Sequence, residues 1–334
     1  MRSRRSRKIS DLIMGTAASE TCQTEDVPGR VLIDLLRSDS VRALADSHKT
    51  IKAVGLARVI EKGLLGDTDI ERLVAAGLLE QTADVPVLTP TGRTVIYALS
   101  AWFRQRERSF DFIRDNLPCL KGRRLLDLGC GEGYLVAHAL EQGAALAAGI
   151  DLLPVMVRFA QAVLASELVG ERGADLVLRA AAEQLPFDRA SFEVITSRLA
   201  FGFFDLSRAV PEIARVLAPG GYVYITVNDP WYYASRLLRT FPPRGMGESV
   251  VALLNAVPAF FGLPAWRFEM LGRTSRSAAL TPTTVRRWFG RHGIRAVSGV
   301  DGVRLDHGPR HQREAEPGTF HIVLRRPGVR HVCV

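Results

Sequence analysis

The chain has 334 residues, of which 47% are hydrophobic and 24% are charged. This globular composition excludes wholesale disorder, and the length favours about two domains. The four cysteines form no CxxC pair, which excludes a disulfide scaffold and a clustered zinc site. The net charge of +9 is concentrated in the opening octet MRSRRSRK and in the acid-free segment Arg273–Arg295. These segments favour a solvated tail and a solvated helix face, with nucleic-acid or anionic-surface binding as the alternative.

The first part of the chain divides into a tail and a helical unit. Residues 1–28 are polar and end at Pro28-Gly29, so they are predicted to be a disordered basic tail. Residues 29–117 begin with apolar residues at helical spacing, and a third helix is predicted to open at Asp67 and to stop at Gly77. A short hairpin around Ala83-Asp84 and a long helix from Thr91 to Asn116 follow. The order of three helices and a hairpin resembles a winged-helix domain, which would serve for dimerisation.

Neither a secretory signal nor a membrane span is expected from this sequence. The basic start is not followed by an apolar run, so the protein is predicted to be cytoplasmic. The longest uncharged stretch, Ser249–Trp266, contains Pro258 and Pro264, which are expected to break a spanning helix. We interpret this stretch as an apolar lid or wall.

Residues 118–334 alternate apolar strands with helices, which predicts a doubly wound, Rossmann-like α/β fold with a seven-stranded sheet. An irregular insert, residues 229–280, interrupts the pattern. The predicted helices are Tyr134–Gln142, Pro154–Leu168, Leu206–Leu217 and Pro282–Arg291. The predicted strands are Arg124–Leu128, Ala145–Ile150, Asp175–Arg179, Phe192–Ser197, Tyr222–Val227, Ile294–Val300 and Phe320–Arg325.

The strongest chemical signal is the stretch RLLDLGCGEGY, where a strand ends at Asp127 and runs into Gly129, Gly131 and Gly133. Glycines in such a turn adopt positive φ and let the backbone approach a ligand at the start of a helix. The next strand ends at Asp151, 18 residues beyond Gly133. That offset suits a carboxylate that accepts hydrogen bonds from ribose hydroxyls.

Three ligands compete for this loop. A dinucleotide loop has the spacing GxGxxG and faces a pyrophosphate, which the carboxylate of Asp127 would repel. A nucleoside triphosphate loop requires a GK[ST] sequence, which is not found here. A ligand that carries an ammonium and a sulfonium group is attracted by the carboxylate, so the charge favours S-adenosylmethionine. A glycine turn without any ligand explains the two acids poorly.

The phrases LLDLGCGEGYL, GIDLL, AAAEQLPFDRASFEVITS and VPEIARVLAPGGYVYITV occur in that order and resemble the motifs of class I S-adenosylmethionine-dependent methyltransferases. The resemblance implies that the loop glycines wrap the cofactor, with Cys130 as a small filler, and that Asp127 supports the loop or the methionine amine. It also implies that Asp151 binds the ribose, that Leu152, Ala182 and Glu183 flank the adenine, and that Ser197 lines the site. Many relatives have an Asp where this chain has Ala181.

No catalytic base is identified by sequence. The stretches after the fourth and fifth strands, SRLAFGFFDLS and VNDPWYYASR, contain no His, and their acids Asp205 and Asp229 are interpreted as helix caps. Asp306, His307, His311 and His321 do not form a convincing metal site, because Gly308-Pro309 prevents a helix between the first two histidines.

The aromatic residues of the insert suggest a lid over a small apolar or aromatic acceptor. The alternatives are an RNA, DNA or protein methyltransferase that uses the basic segments, and a winged-helix regulator that only senses S-adenosylmethionine.

Overall fold

The computed structural model describes residues 66–82, 86–107, 118–165, 175–239, 246–261, 268–270, 273–275, 277–297, 299–300, 303–304 and 319–328. The predicted tail, the first two predicted helices of the winged-helix-like unit and the turn at residues 83–85 lie outside these ranges. The pair His307 and His311 also lies outside them.

The described N-terminal segment consists of two helices around a hairpin. Helix α1 (Asp67–Ala75) stops just before Gly77, which has a φ of +69° and donates its N–H to the carbonyl of Val74, so the stop agrees with the prediction. Strands β1 (Leu79–Glu80) and β2 (Val87–Leu88) pair antiparallel, which confirms the hairpin. Helix α2 (Pro90–Glu107) follows, and its first turn is capped by the hydroxyl of Thr89. The winged-helix assignment itself stays a prediction.

A seven-stranded sheet forms the centre of the molecule, as predicted. Its order is β10-β13-β7-β6-β3-β4-β5, and the five strands from β7 to β5 are parallel, while β13 runs antiparallel to β7. The order reverses at β3, so the carboxyl ends of β3 and its neighbours form the crevice where ligands bind in such sheets. The strand bounds are β3 (Arg124–Leu128), β4 (Leu146–Asp151), β5 (Val177–Arg179), β6 (Phe192–Arg198), β7 (Leu217–Asn228), β10 (Arg295–Ala296) and β13 (Thr319–Arg325).

Helices cover both faces of the sheet. Neighbouring residues of β3 point to opposite faces, and both Leu125 and Leu126 are fully buried. Leu125 belongs to a core that includes Trp102 of α2 and residues of α3 and α4, whereas Leu126 belongs to a second core with α5 and α8. Burial on both faces explains why the strands are continuous apolar runs. The helices are α3 (Tyr134–Glu141), α4 (Pro154–Leu164), α5 (Leu206–Val216), α6 (Pro230–Arg239), α7 (Met246–Phe261) and α8 (Pro282–Gly290).

The insert is more regular than predicted. It contains α6, α7 and a hairpin of β8 (Phe268–Met270) and β9 (Arg273–Ser275). The expectation that Pro258 breaks a helix here was wrong, because α7 continues through Pro258. One lost backbone hydrogen bond is tolerated where the helix packs against α6 and where Ala259 accepts a hydrogen bond from the Trp288 indole.

Two strand predictions also needed correction. Strand β7 begins at Leu217 rather than at Tyr222, because the Ala218–Gly221 turn forms an irregularity inside the strand. The predicted strand Ile294–Val300 is divided: β10 joins the main sheet, whereas β11 (Gly299–Val300) pairs with β12 (Val303–Arg304). Among the described residues, no helix has the length and apolar character needed to cross a membrane.

Candidate cofactor site

The glycine loop lies between β3 and α3, at the carboxyl edge of the sheet. Gly129, Gly131 and Gly133 have φ values of +70°, +53° and +78°. L-residues with side chains rarely adopt these conformations, so the backbone itself explains the triple glycine. The loop is anchored to the neighbouring strand β4, because the N–H groups of Gly129 and Cys130 both donate to the carbonyl of Ile150, at 2.9 Å.

The three glycines differ in what surrounds them. A Cβ on Gly129 would lie 2.4 Å from the Ala200 Cβ, and a Cβ on Gly133 would lie 2.8 Å from the Ala160 Cβ. These two glycines are therefore required for packing within the protein. A Cβ on Gly131 would meet nothing within 4 Å. Gly131 thus borders open space, as a residue that faces a ligand must.

Asp151 ends β4 and is bonded to the glycine loop. One carboxylate oxygen accepts from the N–H of Gly131 at 3.0 Å, and the other accepts from the N–H of Leu153 at 2.9 Å. Partial burial raises the pKa of Asp151, and the backbone donors lower it in part. Each carboxylate oxygen has two acceptor positions, so both retain capacity for a hydroxyl donor. The structure thus brings Asp151 together with the glycine loop, and its role in binding the ribose stays a prediction.

Asp127 is buried beneath the loop. Its carboxylate accepts a hydrogen bond of 2.7 Å from the hydroxyl of Thr196 on the neighbouring strand β6. Burial raises the pKa of Asp127 to about 7, and the Thr196 hydrogen bond and the charge of Arg198 oppose that rise. Sequence reasoning missed Thr196, which is 69 residues away and whose role depends on the strand register.

The charges around the loop are mostly negative. Glu132 and Asp151 both raise the pKa of Asp127, because the three carboxyl groups lie within electrostatic range of one another. The positive charge of Arg198, at the end of β6, lowers the pKa of Asp127. The acidic groups Asp127, Glu132 and Asp151 are thus concentrated at this loop, which favours a positively charged ligand.

Cys130 packs inside the loop, as predicted. Its side chain is buried, and burial raises the pKa of the thiol well above its usual value, so the sulfur is not a nucleophile at neutral pH. The sulfur lies against Gly149 of β4, where a Cβ would come within 2.8 Å of it. Sequence reasoning missed this requirement for glycine at position 149.

The predicted adenine-side residues have three different environments. Leu152 is 62% exposed at the end of β4, whereas Ala182 is buried. The carboxylate of Glu183 accepts a 2.7 Å hydrogen bond from the N–H of Asp205, so one of its oxygens is bonded to the start of α5. The loop that follows is fixed to α5, because Arg215 donates to the carbonyls of Leu185 and Phe187.

Ser197 does not face the crevice. It is fully buried, and its hydroxyl donates to the carbonyl of Leu128 at 3.1 Å, so it joins β6 to β3. The two acids after the strands are caps, as expected: Asp205 accepts from the Ser207 N–H at the start of α5, and Asp229 accepts from the Tyr232 N–H in α6.

Sequence reasoning also missed a polar group at the far side of the carboxyl edge. His321 of β13 contacts the hydroxyls of Tyr224 and Thr226 of β7. The strand Phe320–Arg325 was predictable, but its antiparallel register against β7 was not. Within the described ranges, no three residues of His, Cys, Asp or Glu are grouped so that they could hold a metal ion.

Comparison with known families identifies the part of the chain that carries this loop. Residues 126–225 match a family model described as a methyltransferase domain. The match begins within β3 and ends within β7, so it contains the glycine loop, Asp151 and the partners of Asp127.

Curated methyltransferases match part of the chain. An uncharacterized methyltransferase of Mycobacterium tuberculosis is 35% identical over 106 residues, which cover 32% of this chain and 40% of that protein. Demethylmenaquinone methyltransferase of Thermus thermophilus is 33% identical over 140 residues, which cover 40% and 59%. The tRNA U34 carboxymethyltransferase of Hydrogenovibrio crunogenus is 33% identical over 130 residues, which cover 38% of each chain. This chain therefore spans between 38% and 59% of the length of these relatives.

A crystal structure of an S-adenosylmethionine-dependent methyltransferase from Mesorhizobium loti is 21% identical, with a TM-score of 0.42, over 64% of this chain and 95% of that one. At this level the likeness concerns the fold alone. Together, the family match and the curated relatives show that residues 126–225 are similar to a methyltransferase domain.

Proposed function

We propose that this protein transfers a methyl group from S-adenosylmethionine to a small, apolar or aromatic organic acceptor. The observation that carries the proposal is the negatively charged glycine loop, in which Gly131 borders open space between Asp151 and the buried Asp127. The cofactor carries an ammonium and a sulfonium group, which the excess of carboxyl groups attracts. A pyrophosphate would be repelled there.

The residues that would hold the cofactor follow from this geometry. The backbone at Gly129, Gly131 and Gly133 would surround it, and the oxygens of Asp151 would accept from the ribose hydroxyls. Exposed Leu152 would cover one face of the adenine, near Ala182. The buried groups have supporting roles: Glu183 and Ser197 fix the neighbouring elements, and Cys130 fills the space beneath the loop.

The cofactor supplies an activated methyl group on its sulfonium sulfur, so the protein's main task is to position the acceptor and to exclude water. Apolar side chains suit that task at the end of β6. Leu199 and Phe203 directly follow this strand, and each is about half exposed. Leu199 also has a φ of +57°, a strained conformation that is held by a hydrogen bond from its N–H to the carbonyl of Thr226.

The insert adds further exposed apolar surface near this edge. Trp231 and Leu238 of α6 and Leu254, Val257 and Phe261 of α7 are exposed, and on α7 their spacing places them along one side of the helix. These side chains support the proposal that the insert is a lid. The name of the Thermus relative, demethylmenaquinone methyltransferase, refers to an apolar acceptor of that protein.

The alternative is a nucleic-acid substrate, which the name of the tRNA-modifying relative favours. Two of the described arginines of the basic segment contact aromatic side chains of the protein. Arg287 lies over the Phe260 ring at 5.3 Å, and Arg291 lies over the Trp288 ring at 4.7 Å. Both side chains are nevertheless exposed, as are Arg286 and Arg295, so the segment keeps its positive charge at the surface and the nucleic-acid alternative is decided by the binding measurements below. The homodimer, the cytoplasmic location and the domain boundaries at residues 28 and 117 stay predictions.

The test combines cofactor binding with an acceptor screen. S-adenosylhomocysteine should raise the unfolding temperature of the full chain, and a library of phenols, quinols, amines and carboxylates should yield a methylated product. Binding to heparin or tRNA should be weak and should disappear at moderate salt. No shift with S-adenosylhomocysteine would contradict the proposal, and methylation of tRNA alone would replace the small-molecule acceptor by RNA. Cofactor binding without methylation of any acceptor would favour a sensor.

A further inference from the structure

Helix α7 presents a row of large apolar side chains to solvent. Leu254, Val257 and Phe261 are 44%, 60% and 59% exposed, and their spacing of three and four residues places them on one side of the helix. Asn255 and Ala259, on the other side, are buried. The sequence of α7, MGESVVALLNAVPAFF, contains one charged residue, in its first turn. Leu254, Val257 and Phe261 therefore form an uncharged apolar row, which we call the α7 stripe.

Helix α8 places positive charge beside the end of this stripe. The indole N–H of Trp288 donates to the carbonyl of Ala259 at 2.9 Å, and the guanidinium of Arg287 lies over the Phe260 ring at 5.3 Å. Arg291, four residues beyond Arg287, lies over the Trp288 ring at 4.7 Å. Both arginines are exposed, so two cations border the carboxyl-terminal end of the α7 stripe.

The charge around α8 is not balanced within its own segment. Arg273–Arg295 contains six arginines and no acid, and Arg286 and Arg295 are exposed together with Arg287 and Arg291. The proposed methyl transfer uses none of these arginines. An anionic surface is one of the partners that the sequence favours for this segment, and the structure adds the apolar stripe next to it.

Helix α6 adds exposed apolar side chains to the same insert. Trp231 and Leu238 are 60% and 81% exposed, and they lie seven residues apart, on one side of α6. Helix α6 packs against α7. Tryptophan side chains are enriched where an apolar phase meets water, because the ring is apolar and its N–H is polar. The insert therefore combines exposed apolar groups from two packed helices with the cations of α8.

This combination selects among the anionic partners. A phosphate backbone accounts for the arginines, but it offers no apolar surface to aliphatic side chains such as Leu254 and Val257. The surface of an anionic bilayer offers both, because lipid phosphates lie directly above the acyl chains. Helices that lie in that interface carry Trp, Phe and Leu beside Lys or Arg. The α7 stripe and the arginines of α8 have this chemistry.

We infer that the insert binds the surface of an anionic lipid bilayer, with the α7 stripe at the boundary of headgroups and acyl chains and with Arg287 and Arg291 against lipid phosphates. This inference goes beyond the proposed function and does not depend on it. An insert that rests on a bilayer would also admit an apolar acceptor from the lipid, which is compatible with its proposed role as a lid.

Vesicle flotation of the full chain tests the inference. The protein should partition at least tenfold more strongly onto vesicles of phosphatidylcholine and phosphatidylglycerol in equal parts than onto vesicles of phosphatidylcholine alone, because each arginine near an anionic surface contributes about fivefold. Higher salt should weaken the binding. Hydrogen exchange with and without anionic vesicles should show protection in α7 and α8. No binding of the parent to anionic vesicles would overturn the inference.

Two valines separate the α7 stripe from other sources of affinity. Val257→Glu should reduce binding to anionic vesicles by about tenfold or more, because it loses an apolar contact and adds repulsion. Val87→Glu is the matched control: Val87 is 49% exposed in the N-terminal hairpin, and the substitution changes the net charge equally. Equal binding by the two variants would place the affinity elsewhere, such as in the basic octet at the start of the chain, and would overturn the inference. Circular dichroism and unfolding temperatures check that both are folded.

The arginines are tested in the same way. The double variant Arg287→Gln and Arg291→Gln should bind anionic vesicles about 25-fold more weakly than the parent, at about fivefold for each arginine. Arg158→Gln, at an exposed arginine of α4 on the opposite face of the sheet, should bind like the parent. Unchanged binding by the double variant would contradict the inference. Tight binding of tRNA that depends on Arg287 and Arg291, without binding to vesicles, would replace the bilayer by a nucleic acid.

Discussion

At the scale of single residues, the site combines a buried acid with an open glycine. Asp127 has an unfavourable environment for a charge, since burial raises its pKa from the ordinary 3.8 to about 7. A carboxyl group with a raised folded-state pKa stabilises the fold at low pH and loses that effect as the pH rises through 7. The protein therefore retains a carboxyl group that costs stability at neutral pH, as expected of a group kept for ligand binding.

Asp127→Asn should separate stability from cofactor affinity. The side-chain oxygen of asparagine can still accept the hydrogen bond from the Thr196 hydroxyl, and the substitution removes the buried negative charge. The free energy of unfolding without ligand should rise at pH 8, by up to about 4 kcal/mol at about 1.4 kcal/mol per pKa unit, and should change little at pH 4. The affinity for S-adenosylmethionine should fall by about tenfold or more, because the positively charged ligand loses its electrostatic attraction to the Asp127 carboxylate. Chemical denaturation and calorimetric titration measure the two effects, and a variant that binds as tightly as the parent would refute this role.

The loop glycines provide a matched pair. Gly131→Ala places its methyl group in open space, so it should cost about 1–2 kcal/mol of stability from the positive φ alone and should weaken cofactor binding by tenfold or more. Gly133→Ala adds a clash with Ala160, so its loss of stability should be larger. Denaturation curves and titrations with S-adenosylhomocysteine give both quantities. Normal binding by Gly131→Ala would show that the cofactor does not lie against this residue.

At the scale of elements, the acids at the helix starts are structural. Asp205 caps α5, and its N–H donates a hydrogen bond to the carboxylate of Glu183, which lies in the loop between β5 and β6. Asp205→Ala should lower the free energy of unfolding by about 1 kcal/mol, the usual contribution of such a cap, and should leave kcat unchanged. A folded Asp205→Ala protein without methyltransferase activity would instead identify Asp205 as a catalytic base.

The sequence predicted the elements better than the contacts between them. The central strands were recognisable because both of their faces are buried, and the glycine loop was recognisable because positive φ demands glycine. The bond between Thr196 and Asp127 spans 69 residues, and the one between Tyr224 and His321 spans 97, so both depend on strand register. Helix α7 was missed because Pro258 suggested a break, whereas tertiary packing against α6 and Trp288 stabilises the helix through that position.

At the scale of the whole molecule, the proposed function places the cofactor and the acceptor in different halves of one crevice. Strands β3 and β4 carry the glycine loop and Asp151, and β6, β7 and β13 form the other half of the carboxyl edge. In the proposed function, charge would attract the cofactor to one half, and the exposed apolar residues beside the other half would contact an apolar acceptor. The reversal of strand order at β3 brings these two chemistries together.

Calorimetric titration of the full chain and of Asp151→Asn with S-adenosylhomocysteine tests the account most directly. The parent should bind one molecule per chain, and Asp151→Asn should bind at least tenfold more weakly while it stays folded, because its single oxygen cannot accept from the ribose and from the N–H groups of both Gly131 and Leu153. Equal affinities of the two proteins, or no binding by the parent, would contradict the account.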